Sequence, residues 1–274
     1  MFPRIVWVAT LLLPLAAGAA SLPSVASINL CSDQLVLLLA DPQQIRSISW
    51  LSADTEESLF AEQARAYPVN YGSAEEILRL DPDVVVAGAY TSAFTRRLLR
   101  ELGFAVVDVA PAAAVAEIER NLLQVGAALD QYARAERLIR DMRAHVAALE
   151  AVRPATPQPA VVVRPGGFTV GAQTLADELI RLAGLTNVAA AGGLDRWGSL
   201  SMETLLLSRP ALLIYTGYRR GEPSLANLVL EHPALARLAE RTPSTTVAAK
   251  YWSCELPESL HSVDLLQRAA RSLP

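Results

Sequence analysis

Two stretches of the chain constrain its fold more than any other feature: GSAEEILRLDPDVVVAGAY at 72–90 and SMETLLLSRPALLIYTGY at 201–218. Laid in register without a gap, Ser73 meets Ser201, Glu75 meets Glu203, and Ile77 and Leu78 meet Leu205 and Leu206. Pro82 then meets Pro210, the run Val84 to Val86 meets Leu212 to Ile214, and Tyr90 meets Tyr218. A helix feeding a strand is a common unit. A serine, an acid, a proline and a tyrosine all holding one offset describe two copies of one unit. The chain is expected to fold as two similar α/β lobes.

Around the first copy, strand and helix alternate. Apolar runs lie at 25–30 and 45–49, and helical patterns at 34–40, 73–80 and 95–102, the last stopped by Gly103; strands are expected at 84–87 and 105–109. Residues 21–111 read as one lobe. From 115 to 152 the strands disappear: Ile118, Leu122, Val125 and Leu129, then Leu138, Met142, Val146 and Leu149, recur at helical spacing. Asp130 is placed to cap the second of two helices, which would run from Gln131 to Val152 for about 33 Å at 1.5 Å per residue. The prolines at 154, 157 and 159 stop it. Residues 112–158 are thus a helical connector, and alternation resumes through 159–274. A stiff helix between two lobes limits how far they move apart.

Composition excludes one large class of partner. The 24 Lys and Arg are interspersed with 28 acids and form no basic run, so the electrostatic footprint for a nucleic acid is missing. Residues 1–20, MFPRIVWVATLLLPLAAGAA, read as a signal peptide: one Arg, an apolar core, then Ala17-Gly18-Ala19 as the small-residue cleavage pattern. The apolar run from Ile5 to Ala17 is broken by Pro14 and is shorter than the ~20 residues that span a bilayer. No Cys stands at the cleavage point to take a lipid. The expected product is a soluble protein of a periplasm or the cell exterior.

In open parallel sheets, ligands gather outside the carboxyl ends of the strands. Aromatic residues fall at such ends throughout: Trp50, Tyr71 and Tyr90 in the first lobe, then Phe168 after Gly166-Gly167, Trp197, Tyr218, and Trp252 beside Tyr251. Any one of them reads equally as lobe core. Setting aside Trp7 in the leader, however, every tryptophan lies in a predicted loop, which favours a rigid, amphipathic ligand wall. Cys31 and Cys254 are expected in loops of different lobes that face the cleft. In an oxidising compartment a pair suggests a disulfide, with two separate buried thiols or a metal-ligating role as the other readings. His145, His232 and His261 have no metal-ligand spacing. Gly-x-Ser-x-Gly, His-Glu-x-x-His and Cys-x-x-Cys are all absent from the sequence.

The phrases SINLCSDQLVLLLADPQQIRSIS, GSAEEILRLDPDVVVAGAYTSAFTRRLLRELGFAVV, FTVGAQTLADELIRLAGLTNVA and SLSMETLLLSRPALLIY resemble the periplasmic binding proteins of metal-chelate importers. That family carries ferric siderophores, haem or cobalamin to an ABC permease, and the resemblance covers the whole mature chain. Its glutamate-led helix, Leu-x-Pro-Asp and apolar strand stand intact at Glu75 to Val86 and are loosened at Glu203 to Ile214, where Ala211 replaces the Asp. The resemblance implies two α/β lobes joined by a long rigid helix, a ligand in the shallow cleft between them, and a monomer with no cofactor and no catalysis. It is nearest in detail to cobalamin binders, in which aromatics at the places of Trp197 and Phe168 flank the corrin. Arg164, Arg196, Arg219 and Lys250 lie near enough to leave an anionic siderophore open. The resemblance also implies that Glu75 and Glu203 meet arginines of the two permease subunits. Glu76 has a different reading, as the return half of a capping box with Ser73. An exported enzyme acting on a similar cofactor, and a protein-docking scaffold, are the rival classes.

Overall fold

The computed structural model describes residues 21–217 and 224–273. The leader at 1–20 and the site candidate Tyr218 lie outside the described residues. The first lobe is built on β1 (Val25–Ser27), β2 (Ile45–Ser49), β3 (Val69–Asn70), β4 (Val84–Gly88) and β5 (Ala105–Val109), with α1 (Leu30–Leu39), α2 (Ala61–Ala64), α3 (Ala74–Leu80) and α4 (Ala93–Glu101). The strands form one parallel sheet in the order β3-β2-β1-β4-β5. Its centre is covered on both faces, which is why β4 is a run of buried apolar residues and every residue of β1 is buried, rather than alternate ones. Ser73 caps α3 by accepting from the Glu76 N–H at 3.2 Å, and the Glu76 carboxylate accepts the Ser73 N–H in return, also at 3.2 Å. Helix α1 begins four residues before the start read from periodicity. The Asn29 side chain accepts from the Cys31 N–H at 3.0 Å, so a cap rather than an apolar stripe sets its start.

Two helices, α5 (Val115–Ala128) and α6 (Tyr132–Ala151), connect the lobes. Asp130, read as a cap for the second, instead takes φ of 55° in the turn between them, and Gln131 occupies the start of α6 without a side-chain cap bond. The second lobe contains β6 (Gln158–Val163), β7 (Phe168–Val170), β8 (Leu185–Asn187), β9 (Trp197–Ser199), β10 (Leu212–Tyr215) and β11 (Ser244–Thr246). Its helices are α7 (Leu175–Leu182), α8 (Val188–Ala191), α9 (Met202–Leu207), α10 (Pro233–Ala239) and α11 (His261–Arg271). A parallel sheet runs β11-β10-β6-β8. The repeat is visible in space: Ser201 caps α9 from the Thr204 N–H at 3.1 Å, Leu205 is buried as Ile77 is, and Leu212 to Ile214 are buried as Val84 to Val86 are.

Behind the two sheets the lobes share one core. A single apolar cluster takes in Leu35 and Val36 of α1, Leu122 and Val125 of α5, Leu179 of α7, and Leu212 and Ile214 of β10. Smaller clusters line the outer faces, around Ile77 and Leu99 in the first lobe and Leu205 and Leu235 in the second. Among the described residues no helix is long and apolar enough to cross a membrane.

Candidate functional site

The carboxyl ends of four strands converge between the lobes on a cavity of about 390 Å³, within the size range of small-molecule sites. From the first lobe, β1 leads to Asn29, Leu30 and Cys31, and β4 leads to Tyr90. From the second, β6 leads to Arg164 and β10 to Thr216. Trp197, Ala249, Trp252 and Ser253 complete the second-lobe wall, and Glu57 adds to that of the first. Asn29 fits its place because β4 ends in Gly88, where a Cβ would fall 2.5 Å from the Asn29 Oδ1. A larger hollow of about 590 Å³ lies beside Ser24, Asp41 and Asp83, at the opposite, amino ends of β1 and β4. There the Asp83 carboxylate is already taken by the N–H and hydroxyl of Ser24, both at 2.7 Å. The strand-end rule favours the cavity between the lobes.

Three of the sequence-predicted aromatics line that cavity. Tyr90 is 84% exposed and Trp197 49%, whereas Trp252 is half-buried and donates its indole N–H to Ser262 Oγ at 2.9 Å. Trp252 is therefore wall and core at once. Trp50 and Tyr71 stand together on the first-lobe rim, stacked with centroids 6.5 Å apart. Phe168 is exposed on the second lobe, outside the cavity wall. The expectation of loops needs correction here. Phe168 and Trp197 belong to an antiparallel ribbon in which Phe168 pairs with Ser199 and Val170 with Trp197. Strands of three residues are too short to show a period in the sequence.

Beneath Trp197 lies the Arg164 guanidinium, its central carbon 5.5 Å from the ring centroid. Burial holds its pKa below the usual value, opposed by the charge of Glu57. The Glu57 carboxylate comes from the first lobe and accepts the hydroxyl of Ser253 from the second. The wall thus carries a cation and an anion side by side. Arg164 was legible only as one of several basic residues near the cleft. Glu57 gave no signal, since a glutamate in an acidic loop looks like any solvated one.

Cys31 and Cys254 are joined, Sγ to Sγ 2.11 Å, which ties α1 to the segment before α11. Two details differ from the reading of both as cleft-facing loop residues. Cys31 sits in the first turn of α1, and Cys254 is fully buried. His145 and His261, distant in sequence, have ring centroids 5.7 Å apart, and His145 Nε2 lies 3.1 Å from Asp264 Oδ2. Among the described residues no group of three or more His, Cys, Asp or Glu is placed to hold a metal ion. Glu75 and Glu203 are exposed at the second position of α3 and α9. Each helix runs back toward the amino end of the strand that follows it, so each N-terminus opens on the cleft side.

Comparison with known proteins agrees with this architecture. The model of the periplasmic binding protein family matches residues 25–239. The periplasmic heme-binding protein RhuT from Roseiflexus sp. RS-1, in apo form, has a TM-score of 0.75 at 20% identity, over 90% of this chain and 99% of that one. The periplasmic vitamin B12 binding protein BtuF of Vibrio cholerae gives 0.70 at 17% identity, over 91% and 97%. An ABC-type Fe3+-hydroxamate transport system protein from Saccharomonospora viridis DSM 43017 gives 0.66 at 20%, over 91% and 93%. No curated protein matches the sequence. These identities speak for the fold alone. The family model, by contrast, spans the chain from β1 through α10, and the protein belongs to the periplasmic binding protein family.

Proposed function

We propose that this protein is the periplasmic substrate-binding component of an ABC importer. It captures a bulky metal chelate of the haem, cobalamin or ferric-siderophore class and delivers it to an inner-membrane permease, as a monomer released by cleavage of the 1–20 leader. The observation that carries the reading is the convergence of two matched sheets on one cavity walled by Tyr90, Trp197 and Trp252. Aromatic faces bury large, flat ligand surfaces at low conformational cost. The adjacent Arg164 and Glu57 keep the wall close to electrically neutral, which suits a corrinoid or porphyrin better than a multiply anionic catecholate complex. The names of the structural neighbours support the same range of ligands.

Binding without turnover is the simpler reading of this wall. Its ionisable groups among the described residues are Glu57, Arg164 and the Tyr90 phenol, and Glu57 is already engaged by Ser253. Titration of the purified protein with haemin, cyanocobalamin and a ferric hydroxamate tests the proposal. One of them should quench tryptophan emission saturably at one equivalent and be recovered unchanged. Absence of quenching by all three would reject an aromatic chelate cleft; conversion of a bound chelate would favour the enzyme reading.

A further inference from the structure

Asp33 is fully buried at the start of α1, where the hydroxyls of Ser49 and Ser52 and the Ser49 amide bind its carboxyl. A buried carboxylate without a cation is costly unless its oxygens are hydrogen-bonded. Its Oδ2 accepts three donors: the Ser49 N–H at 3.1 Å, the Ser49 hydroxyl at 2.5 Å and the Ser52 hydroxyl at 2.7 Å. Oδ1, equally buried, has no hydrogen-bond partner. Burial pushes the group up to about 6 in spite of those donors. What this unfavourable arrangement holds is specific. Ser49 and Ser52 bracket Trp50, so one oxygen grips the turn that presents this rim aromatic of the first lobe.

The neighbouring residue does the same at the other end. Gln34, also buried, accepts the Leu59 N–H through Oε1 at 2.9 Å. Two consecutive side chains of α1 thereby hold both ends of segment 49–59, from which Trp50 and the cavity residue Glu57 project. Trp50 is 53% exposed, with Tyr71 as its stacking partner, so its own contacts do little to fix it. Helix α1 is in turn anchored at its first turn by Cys254. Ligand-contacting groups keep a productive geometry only when a supporting layer locks them.

We infer that Asp33 is a positioning residue for the first-lobe wall of the cleft: it touches no ligand, and it sets Trp50 and Glu57 by fastening segment 49–59 to α1. The inference rests on the cleft being the ligand site. The test uses the mature protein labelled with 5-fluorotryptophan, in which Trp50 is assigned by its loss in Trp50→Phe. Asp33→Ala, which leaves three buried donors without their acceptor, should move the Trp50 19F resonance toward its unfolded position while those of Trp197 and Trp252 stay. Affinity for haemin, cyanocobalamin or the ferric hydroxamate, whichever the wild type binds, should fall about tenfold, the scale of one or two lost hydrogen bonds. Asp33→Asn, which keeps an acceptor of the same shape, should restore most of both signals. If Asp33→Ala does not fold, Ser52→Ala decides, because it removes one donor at the Trp50 turn while leaving the other two, and should displace the same resonance in a folded protein. An unmoved Trp50 resonance with unchanged probe affinity in a folded variant would overturn the inference and leave Asp33 a buried structural acid. Should the wild type bind none of the three probes, the ligand reading fails on that arm, and the 19F shift alone decides whether Asp33 fastens the segment.

Discussion

Trp197 is the side chain on which the ligand reading depends most directly, because it lines the cavity and packs its ring against the half-buried Arg164 guanidinium. Trp197→Ala should weaken binding of the cognate chelate by roughly 1.5 to 3 kcal/mol, the value of one large apolar side chain fully buried. Phe168→Ala should cost less, since Phe168 stands outside the cavity wall; equal losses in isothermal titration would mean that the ligand lies over the β7–β9 ribbon instead. Glu255 tests the electrostatics at this scale. Burial raises its pKa from 4.5 to about 7 and that of Asp33 from 3.8 to about 6. In those windows the folded protein holds protons that the unfolded chain releases, so stability falls as pH rises through them and is recovered on acidification. The melting temperature should therefore rise between about pH 8 and about pH 5, and Glu255→Gln should flatten that slope. An unchanged slope in Glu255→Gln would show that this carboxyl titrates at its ordinary pH.

Among the elements, local chemistry was legible wherever it was self-contained. The Ser73 and Glu76 capping box, the end of α4 near Gly103 and strand β5 need only neighbouring residues to specify them, and each was readable from the sequence. Where tertiary contacts choose, the reading drifted. The start of α1 is set by Asn29 seated against Gly88 of another strand, and the β7–β9 ribbon forms by pairing residues far apart in sequence. The site divides in the same way. Strand-end aromatics announce themselves by type and place, whereas Glu57 and Asp33 acquire their roles from partners on other elements. The link between α1 and the segment before α11 yields a prediction of its own. The two cysteines are 223 residues apart, and closing so long a loop restricts the unfolded chain strongly. Cys31→Ala with Cys254→Ala should lower stability by roughly 2–5 kcal/mol in chemical denaturation. Peptide mapping of the exported protein without reductant should recover both cysteines in one linked fragment. Two labelled thiols under denaturing conditions would sink the linkage.

At the scale of the molecule, a shared core behind the cleft and a covalent tie near its floor leave little freedom for the lobes to swing apart. Under the proposed function, loading would then be signalled by a surface presented on both lobes rather than by a wide closure. Glu75 and Glu203 meet that requirement. Each is exposed at the second position of a helix capped by serine, at matched places in the repeat. An acid somewhere in a first turn is explained by the helix dipole, worth about 0.3 to 1 kcal/mol. The same position in both copies is not, because in α3 the neighbouring Glu76 already serves the turn through its bond to Ser73. Carboxylates on either side of the cleft suit charge-assisted pairing with arginines of a two-fold permease, which would set the ligand over the pore. Glu75→Ala combined with Glu203→Ala is therefore expected to leave chelate affinity unchanged while abolishing uptake and ATPase stimulation in vesicles reconstituted with the cognate permease. Glu76→Ala should act in the opposite sense, lowering the melting temperature with uptake retained. Normal transport by the double variant would reduce both glutamates to helix-start residues and move the docking surface elsewhere on the lobes.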